Sequence, residues 1–287
     1  MPLRADLHTH SSASDGALSP SALVARAEKA GLDLLSLTDH DTTGGIAEAR
    51  LAACSLRIGL VAGVEVSVTW ERRTVHIVGL GVDPAAPGLR KGLQRLTDYR
   101  RIRAEEMGRR LAKAGIHAVY DDACALSNGL LVGRVHFARA LVARGYAESV
   151  RQVFKHYLVR GKPGYVAGEW ASLSDAVSWI LGAGGQAVIA HPARYGFTRA
   201  KMLRLLGEFR EHGGEGIEVV CGSHSRDDAF VFARHAREHR LFASVGSDFH
   251  RPDGPLLELG RLPPLPEGCT PIWAGWCVAE SRQAFKG

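Results

Sequence analysis

Histidines and carboxylates recur in this chain at the ends of short apolar runs. Asp6-Leu7-His8-Thr9-His10 comes first, followed by Asp39-His40-Asp41, Glu65, His76, His191-Pro192 and Ser247-Asp248-Phe249-His250. Imidazole nitrogens and carboxylate oxygens are ligands for divalent cations. Side chains at strand ends converge in space however far apart they stand in sequence. Residues two apart on a strand share a face, so His8 and His10 can bind one ion together. Asp248 and His250 have the same spacing, although near a strand end they can splay toward different ions. Glu65 is the natural bridge, because each carboxylate oxygen can serve a different ion. Asp15 lies in a Gly-containing loop just past the first strand, from which it can turn back toward the others. HxH alone is a weak signal, but HxH, DH, a strand-borne Glu, HP and DxH together are a strong one. His117, His156, His212, His235 and His239 stand in charged helical contexts and are read as ordinary residues.

The elements that must hold these groups alternate between strand and helix. Leu3 to Leu7 reads as a strand. Ser19-Pro20 opens a helix with Ser as N-cap and Pro at its first position, and Gly31 ends it. Leu34 to Leu37 delivers Asp39 and His40. A helix over 46–53 and strands over Leu60–Val66 and Val75–Leu80 follow. After Pro84 the rhythm changes: residues 88–160 are charged and helical, with helices expected at 89–114, 134–144 and 149–158. Alternation resumes with a helix capped by Ser172, a strand ending at His191, helices over 199–212 and 226–239, and strands over 217–220 and 242–245. Trp273 to Val278 is a candidate last strand. Repeated strand–helix units imply parallel strands with helices outside, and functional groups at several strand ends point to a (β/α) barrel. A doubly wound open sheet is the structural competitor, but it gathers ligands at a single switch point. The expected division is a barrel first part over 1–99, a small helical insert over 100–165 and a barrel second part over 166–287.

Composition narrows the classes. The chain has 287 residues, 46% of them hydrophobic, enough for a large α/β domain. No window reaches the ~18 apolar residues of a membrane span, and no signal peptide is evident. The five cysteines, Cys54, Cys124, Cys221, Cys269 and Cys277, form no CxxC pair, which suits reduced thiols in a cytoplasmic protein. A net charge of +6 is compatible with a phosphate-rich substrate without requiring nucleic acid. There is no GxGxxG and no P-loop, and Gly182-Ala183-Gly184-Gly185 follows a helix that it would terminate. No obligate protein partner is indicated.

The ordered segments Asp6–Ser11, Leu37–Asp41, Gly63-Val64-Glu65, His76, Ala190-His191-Pro192 and Gly246–His250 resemble the polymerase-and-histidinol-phosphatase (PHP) family of metal-dependent phosphoesterases. The resemblance implies a distorted (β/α)7 TIM-like barrel with a trinuclear metal centre. Carried over by position, His8, His10, Glu65 and Asp248 would hold one ion, Glu65, His76 and His191 a second, and Asp15, His40 and His250 a third. Many members have histidine where this chain has Asp15. A carboxylate there favours harder ions, so Mn²⁺, Mg²⁺ or Fe²⁺ competes with Zn²⁺, at two or three ions per chain. Asp39 would orient a ligand histidine from behind. Gly133–Ala138, Gly161–Val166 and Glu218-Val219-Val220 leading to Ser223-His224-Ser225 resemble the branch of nucleoside-bisphosphate phosphatases and 5′–3′ exoribonucleases, although that branch often has Pro where this chain has Val135.

The chemistry expected is hydrolysis of a phosphate monoester or terminal phosphodiester, with an activated water attacking phosphorus in line between ions ~4 Å apart. Arg134, His136, Lys162, Arg194 and His224 are candidates to grip phosphates, Arg as a bidentate fork and Lys as a point charge. His224, past a strand end, is also a candidate leaving-group acid. The leading substrate is a nucleoside 3′,5′-bisphosphate such as pAp, with short 5′-phosphorylated RNA ends as a further one. The alternatives are a histidinol-phosphate-type monoesterase and a metal-dependent amidohydrolase, which would normally add a carbamylated lysine on a strand.

Overall fold

A computed structural model describes residues 3–127, 131–252, 254 and 257–276. Among the described residues seven strands form one sheet in sequence order: β1 (Ala5–Thr9), β2 (Leu34–Leu37), β3 (Gly59–Trp70), β4 (Arg73–Leu80), β5 (Gln186–Ile189), β6 (Gly216–Cys221) and β7 (Phe242–Gly246). The ring nearly closes at one end. Thr9 pairs with Phe249 in parallel, His10 N donates to Phe249 O at 2.9 Å, and Asp248 N donates to His8 O at 2.9 Å. An open doubly wound sheet would not run in sequence order and meet itself, so the barrel expectation stands.

One strand departs from the parallel pattern. β3 and β4 form a hairpin turned at Glu71-Arg72, where both residues take positive φ, and β4 runs antiparallel to β3 and to β5. The reversal has a purpose at the mouth. Glu65 lies in the middle of a twelve-residue strand, and His76, near the start of β4, pairs beside it through Ser67. The expectation that ligands sit at carboxyl ends therefore fails for His76, because its strand points the other way.

The helices that pack outside are α1 (Pro20–Lys29), α2 (Ile46–Cys54), α7 (Leu173–Gly182), α8 (Arg199–Glu211) and α9 (Arg226–Glu238). Ser19 caps α1 with Pro at its first turn, and Ser172, Thr198 and Ser225 cap α7, α8 and α9. The apolar faces of strands and helices bury residues such as Leu7, Val66, Ile77, Ile189, Leu205 and Phe209 in the main core, while Leu23, Leu35, Ile46 and Phe249 form a second cluster under α1 and α2.

Between β4 and β5 the chain is helical: α3 (Pro87–Lys113), α4 (Val119–Leu126), α5 (Arg134–Ala143) and α6 (Val150–Val153), the last running into a π-turn over Phe154–Leu158. Helix α4 escaped the sequence reading. Its apolar stripe is only Val119 and Ala123, and it lacks a capping side chain. A third apolar cluster, with Met107, Leu111, Phe137, Leu141, Val153 and Leu158, is built wholly from this stretch. Helix α3 belongs to both bodies: Leu89, Leu93 and Leu96 join the main core, and Ala104, Met107 and Leu111 the third cluster.

The expected strand at Trp273 is not formed, since Ile272–Gly275 is a turn of 3-10 helix; the rest of that segment lies outside the described residues. Cys54, Cys124, Cys221 and Cys269 are free thiols, as expected, and Cys277 is not described. Among the described residues no helix is long and apolar enough to cross a membrane.

Candidate metal centre

Every candidate ligand reaches the mouth of the barrel. His8 and His10 point their Nε2 atoms to within 3.1 Å of each other. Asp248 Oδ1 lies 3.1 Å from His10 Nε2 and 3.5 Å from His8 Nε2. Glu65 stands at the centre and divides its carboxylate. Oε2 faces His40 Nδ1 at 2.8 Å and the Nε2 atoms of His8 and His10 at 3.3 Å. Oε1 faces His76 Nδ1 at 2.7 Å and His191 Nε2 at 2.9 Å. Asp15 Oδ1 lies 3.2 Å from His250 Nε2 and 4.0 Å from His10 Nδ1.

Three overlapping groups can each bring ligand atoms within 4.8 Å of one another: His8, His10, Glu65 and Asp248; His40, Glu65 and His76; and His10, Asp15, His40 and His250. The first is the set expected for one ion. The other two differ from the expected sets by recruiting His40 and His10, while His191 stays beside Glu65 and His76. Sequence spacing could not apportion ligands that stand between two neighbours. A further group, His235, Glu238 and His239 on α9, is faced by Arg199 and Arg234 and lies apart from this centre.

The donor set fits divalent cations. His10 Nδ1, His40 Nδ1, Asp15 Oδ1 and Glu65 Oε2 are buried without a hydrogen-bond partner although they crowd one another. Lone pairs that converge in a buried space without hydrogen bonds are costly, and a cation is the partner that relieves them. In the metal-free chain protons share the space instead. Burial alone would push Glu65, Asp15 and Asp248 up, yet the surrounding histidines hold all three well below the usual carboxylate range. Burial would lower His8 and His250; carboxylates outweigh it, holding His8 well above its ordinary value and His250 at about 10. For His10 and His76 burial, helped by neighbouring histidines, outweighs the carboxylates beside them and pulls the rings down to about 3 and about 4.

The backbone is bent to serve this cluster. Asp41, His191 and Asp248 all adopt positive φ, at 52°, 29° and 56°. Non-glycine residues rarely take that region, and such strain gathers where a site over-determines the chain. Gly246 is needed where β7 presses on β1: a Cβ there would meet His8 Cβ at 2.2 Å.

Several supporting residues were not anticipated. Asp6 accepts from Ser247 N at 2.8 Å and so ties the two motif strands together; burial raises its carboxyl to about 6. Tyr195 accepts from His76 N at 2.9 Å and donates to Ala190 O at 2.8 Å, fixing both strand ends that carry His76 and His191. Glu218 lies against His8 and His191. Its signal was present in the sequence: it is the one charge in the apolar run Gly216–Cys221, and a lone charge inside a buried strand needs a partner. Asp39 was expected to orient a ligand histidine. Instead it accepts from Ser11 N at 2.8 Å, Ser11 Oγ at 2.6 Å and Ser14 Oγ at 2.6 Å, so it folds the loop that presents Asp15. Burial raises its carboxyl to about 6 against those bonds.

The candidate phosphate contacts fare unevenly. Arg194 leans over the mouth, half exposed, with Nη1 2.7 Å from Asp248 Oδ2. Arg134 opens α5 and makes no ion pair among the described residues, its guanidinium lying 5.7 Å from the Phe154 ring. It is one of a cluster. Burial, with Arg134 and Arg100 nearby, pulls Arg103 down to about 10. His136 is buried, and its Nδ1 accepts from Gly133 N at 3.0 Å, so the neutral ring carries its proton on Nε2 as a donor. Lys162 sits on an exposed turn that closes on Val159 O, and no contact brings it to the centre. His224 is not placed as a proton donor. Its Nδ1 donates to Val219 O at 3.1 Å, its Nε2 accepts from Ala193 N at 3.4 Å, and burial lowers its pKa, so the ring stays neutral with both nitrogens engaged by backbone.

The PHP domain profile matches residues 6–181. A 3′,5′-nucleoside bisphosphate phosphatase of Chromobacterium violaceum is 52% identical over 93% of this chain and 94% of its own length. The 5′-3′ exoribonuclease Rnm of Escherichia coli is 44% identical over 94% of this chain and 93% of its own. Among solved structures, one of a C. violaceum amidohydrolase with bound sulfate and no metal superposes with a TM-score of 0.91 at 50% identity, covering 97% of this chain and 96% of that one. One from Bifidobacterium adolescentis, designated a metal-dependent phosphoesterase, superposes with a TM-score of 0.80 at 27% identity over 96% of this chain and 94% of that one. A barrel mouth lined by these histidines and carboxylates, and relatives matched over nearly their whole length, place the chain in the PHP domain family.

Proposed function

We propose that this chain is a divalent-metal-dependent phosphoesterase that removes the 3′-phosphate of nucleoside 3′,5′-bisphosphates, such as pAp, giving AMP and phosphate, and that short 5′-phosphorylated RNA ends are a further substrate. The observation that carries this reading is Glu65, whose two oxygens face different histidine groups beneath an arginine-rich rim. His8, His10, Asp15, His40, Glu65, His76, His191, Asp248 and His250 would hold two or three ions of Mn²⁺, Fe²⁺, Zn²⁺ or Mg²⁺. When bound, such ions supply Lewis acidity and an activated water.

The remaining work falls to the chain's own groups. Arg194, fixed by Asp248, offers its free edge to a phosphate oxygen. Arg134, near enough to Arg194 to feel its charge, and His136, near enough to feel Asp15, belong to residues 100–165, which would act as a cap and read the second phosphate. The field of Arg100, Arg103, Arg134 and Arg194 selects a polyanion. His224 holds the turn that carries Arg194, through Ala193 N. Amide hydrolysis is disfavoured, because none of the seven strands carries a lysine for a bridging carbamate.

The test is phosphate release with Mn²⁺ from nucleoside bisphosphates, mononucleotides, histidinol phosphate and 5′-phosphorylated RNA. Bisphosphates should be turned over with the highest kcat/KM. Equal rates on simple monophosphates would remove the cap from substrate recognition.

A further inference from the structure

Six of the seven strands bring a candidate ligand to the mouth, on the strand itself or just past its end; β6 alone does not. It contributes Glu218, which is 1% exposed and lies between the strands that flank it. Its Oε1 is 2.6 Å from His8 Nδ1, and its Oε2 accepts the main-chain N–H of His191. One carboxylate thus touches two members of the centre that belong to different groups.

We infer that Glu218 is a positioning residue for the metal centre, fixing the His8 ring with its proton on Nδ1 while pinning the strained backbone of His191. This rests on the metal reading above. The chemistry is directional. An imidazole that donates from Nδ1 presents a lone pair at Nε2, and Nε2 is the atom that faces Glu65, His10 and Asp248. A carboxylate suits the position because it only accepts, and both of its neighbours donate. His191 has φ 29°, a conformation that must be held from outside, and the bond from its N–H to Glu218 does so. Gly246 completes the arrangement, since a Cβ there would come within 3.0 Å of Glu218 Oε1 as well as striking His8.

Glu218→Gln separates these roles with little change of volume. An amide offers one acceptor and one donor to two donors. If its oxygen stays on His191 N–H, its NH₂ faces His8 Nδ1 and drives that ring's proton to Nε2, where it blocks a cation. If the amide turns over, NH₂ opposes the His191 N–H.

The experiment is a titration of metal-free protein with Mn²⁺ and with Zn²⁺ in competition with a chromogenic chelator, without substrate, so that its outcome is independent of substrate choice. Glu218→Gln should weaken one ion roughly 10- to 100-fold, measured at a temperature where the metal-free variant stays folded, and leave the other ions near their parental affinity. At saturating metal, KM for the bisphosphate should be unchanged. Parental affinity in a folded Glu218→Gln overturns the inference and leaves the phosphoesterase reading standing. Equal weakening of every ion also overturns it, because the residue would then support the centre as a whole and not the His8 ring and the His191 backbone. Should the amide variant not fold, Glu218→Asp, one methylene too short to span both partners, takes the same test with the same expectations. Failure of the parent protein to bind any ion sinks both readings.

Discussion

Glu65 carries more of the proposed chemistry than any other side chain, because its two oxygens face two different groups of histidine ring nitrogens. Replacing it with Gln makes one of those atoms a donor aimed at lone pairs. Turnover should fall by roughly three orders of magnitude, since Lewis-acid stabilisation supplies several kcal/mol and each 1.4 kcal/mol is tenfold. The checks are kcat with the bisphosphate and the number of ions retained. His191→Ala should likewise abolish turnover while the far-UV circular dichroism of the chain is retained; undiminished activity would take it out of the set. Protons and cations compete here. His8, His40 and His250 are raised above their ordinary value by carboxylates that overcome burial, His8 far enough and His250 to about 10, so that these two are protonated in the metal-free chain at neutral pH. Cation binding must expel those protons, so affinity increases as pH rises and falls as pH drops. Calorimetry in two buffers of different ionisation enthalpy should show net proton release. Identical heats in both buffers would contradict this protonation state.

The elements around the centre are joined by a clamp that neither motif nor periodicity announces. Arg100, on α3, donates from Nε to Asp41 Oδ2 at 2.6 Å and from Nη2 to Ser67 Oγ at 2.9 Å, while its guanidinium lies 4.9 Å from the Trp170 ring. Asp41, next to His40, also accepts from Ser67 N at 2.6 Å. Helix α3 is therefore pinned to the loop and strand that bring His40 and Glu65. Asp41→Ala leaves a guanidinium and a backbone N–H unpaired and should cost about 3–5 kcal/mol in denaturant melts of the metal-free chain. The separate cluster between α3, α5 and the π-turn makes a second claim testable. Phe137→Ala should cost about 3–5 kcal/mol, and hydrogen exchange should place the loosening within residues 100–165 with metal affinity unaltered. Loosening that spreads through the barrel would show that the cap is no separate unit. Helix boundaries were legible where a cap residue or an apolar stripe marked them, as at Ser19 and Ser172. Helix α4 was not, because its two buried residues are too few to show a period.

At the scale of the molecule, charge and shape work together. The net charge of +6 includes the buried carboxylates of the centre, so the outer surface and the rim are more basic than the total suggests. Arg134 lies near enough to Arg100, Arg103 and Arg194 to repel them, and although Asp41 pairs with Arg100 and Asp248 with Arg194, a bound polyanion would relieve what repulsion remains. Association with a bisphosphate should therefore be steered. Raising ionic strength from about 0.05 M to about 0.5 M should lower kcat/KM for the bisphosphate more than for a nucleoside monophosphate, because screening shortens with salt. Equal salt slopes would show that the rim does not read the second phosphate.

The sequence by itself determined which side chains meet at the barrel mouth. Histidines and carboxylates at strand ends are informative because strand direction and spacing already dictate which of them can meet. It also determined the barrel, since strand–helix alternation leaves few ways to bury both faces of the strands. Tertiary structure decided what depends on distance between elements. The reversal of β4 puts His76 beside Glu65. His10 and His40 each stand between two ligand groups. Asp39 binds a loop in place of a histidine, and His224 spends both nitrogens on backbone. Glu218 and Arg100 find partners 210 and 59 residues away, and Arg134 finds no ion pair among the described residues. Pairings of that kind follow from packing, in which the twist of the barrel and the seating of α3 fix which polar atoms face one another. No local pattern encodes them.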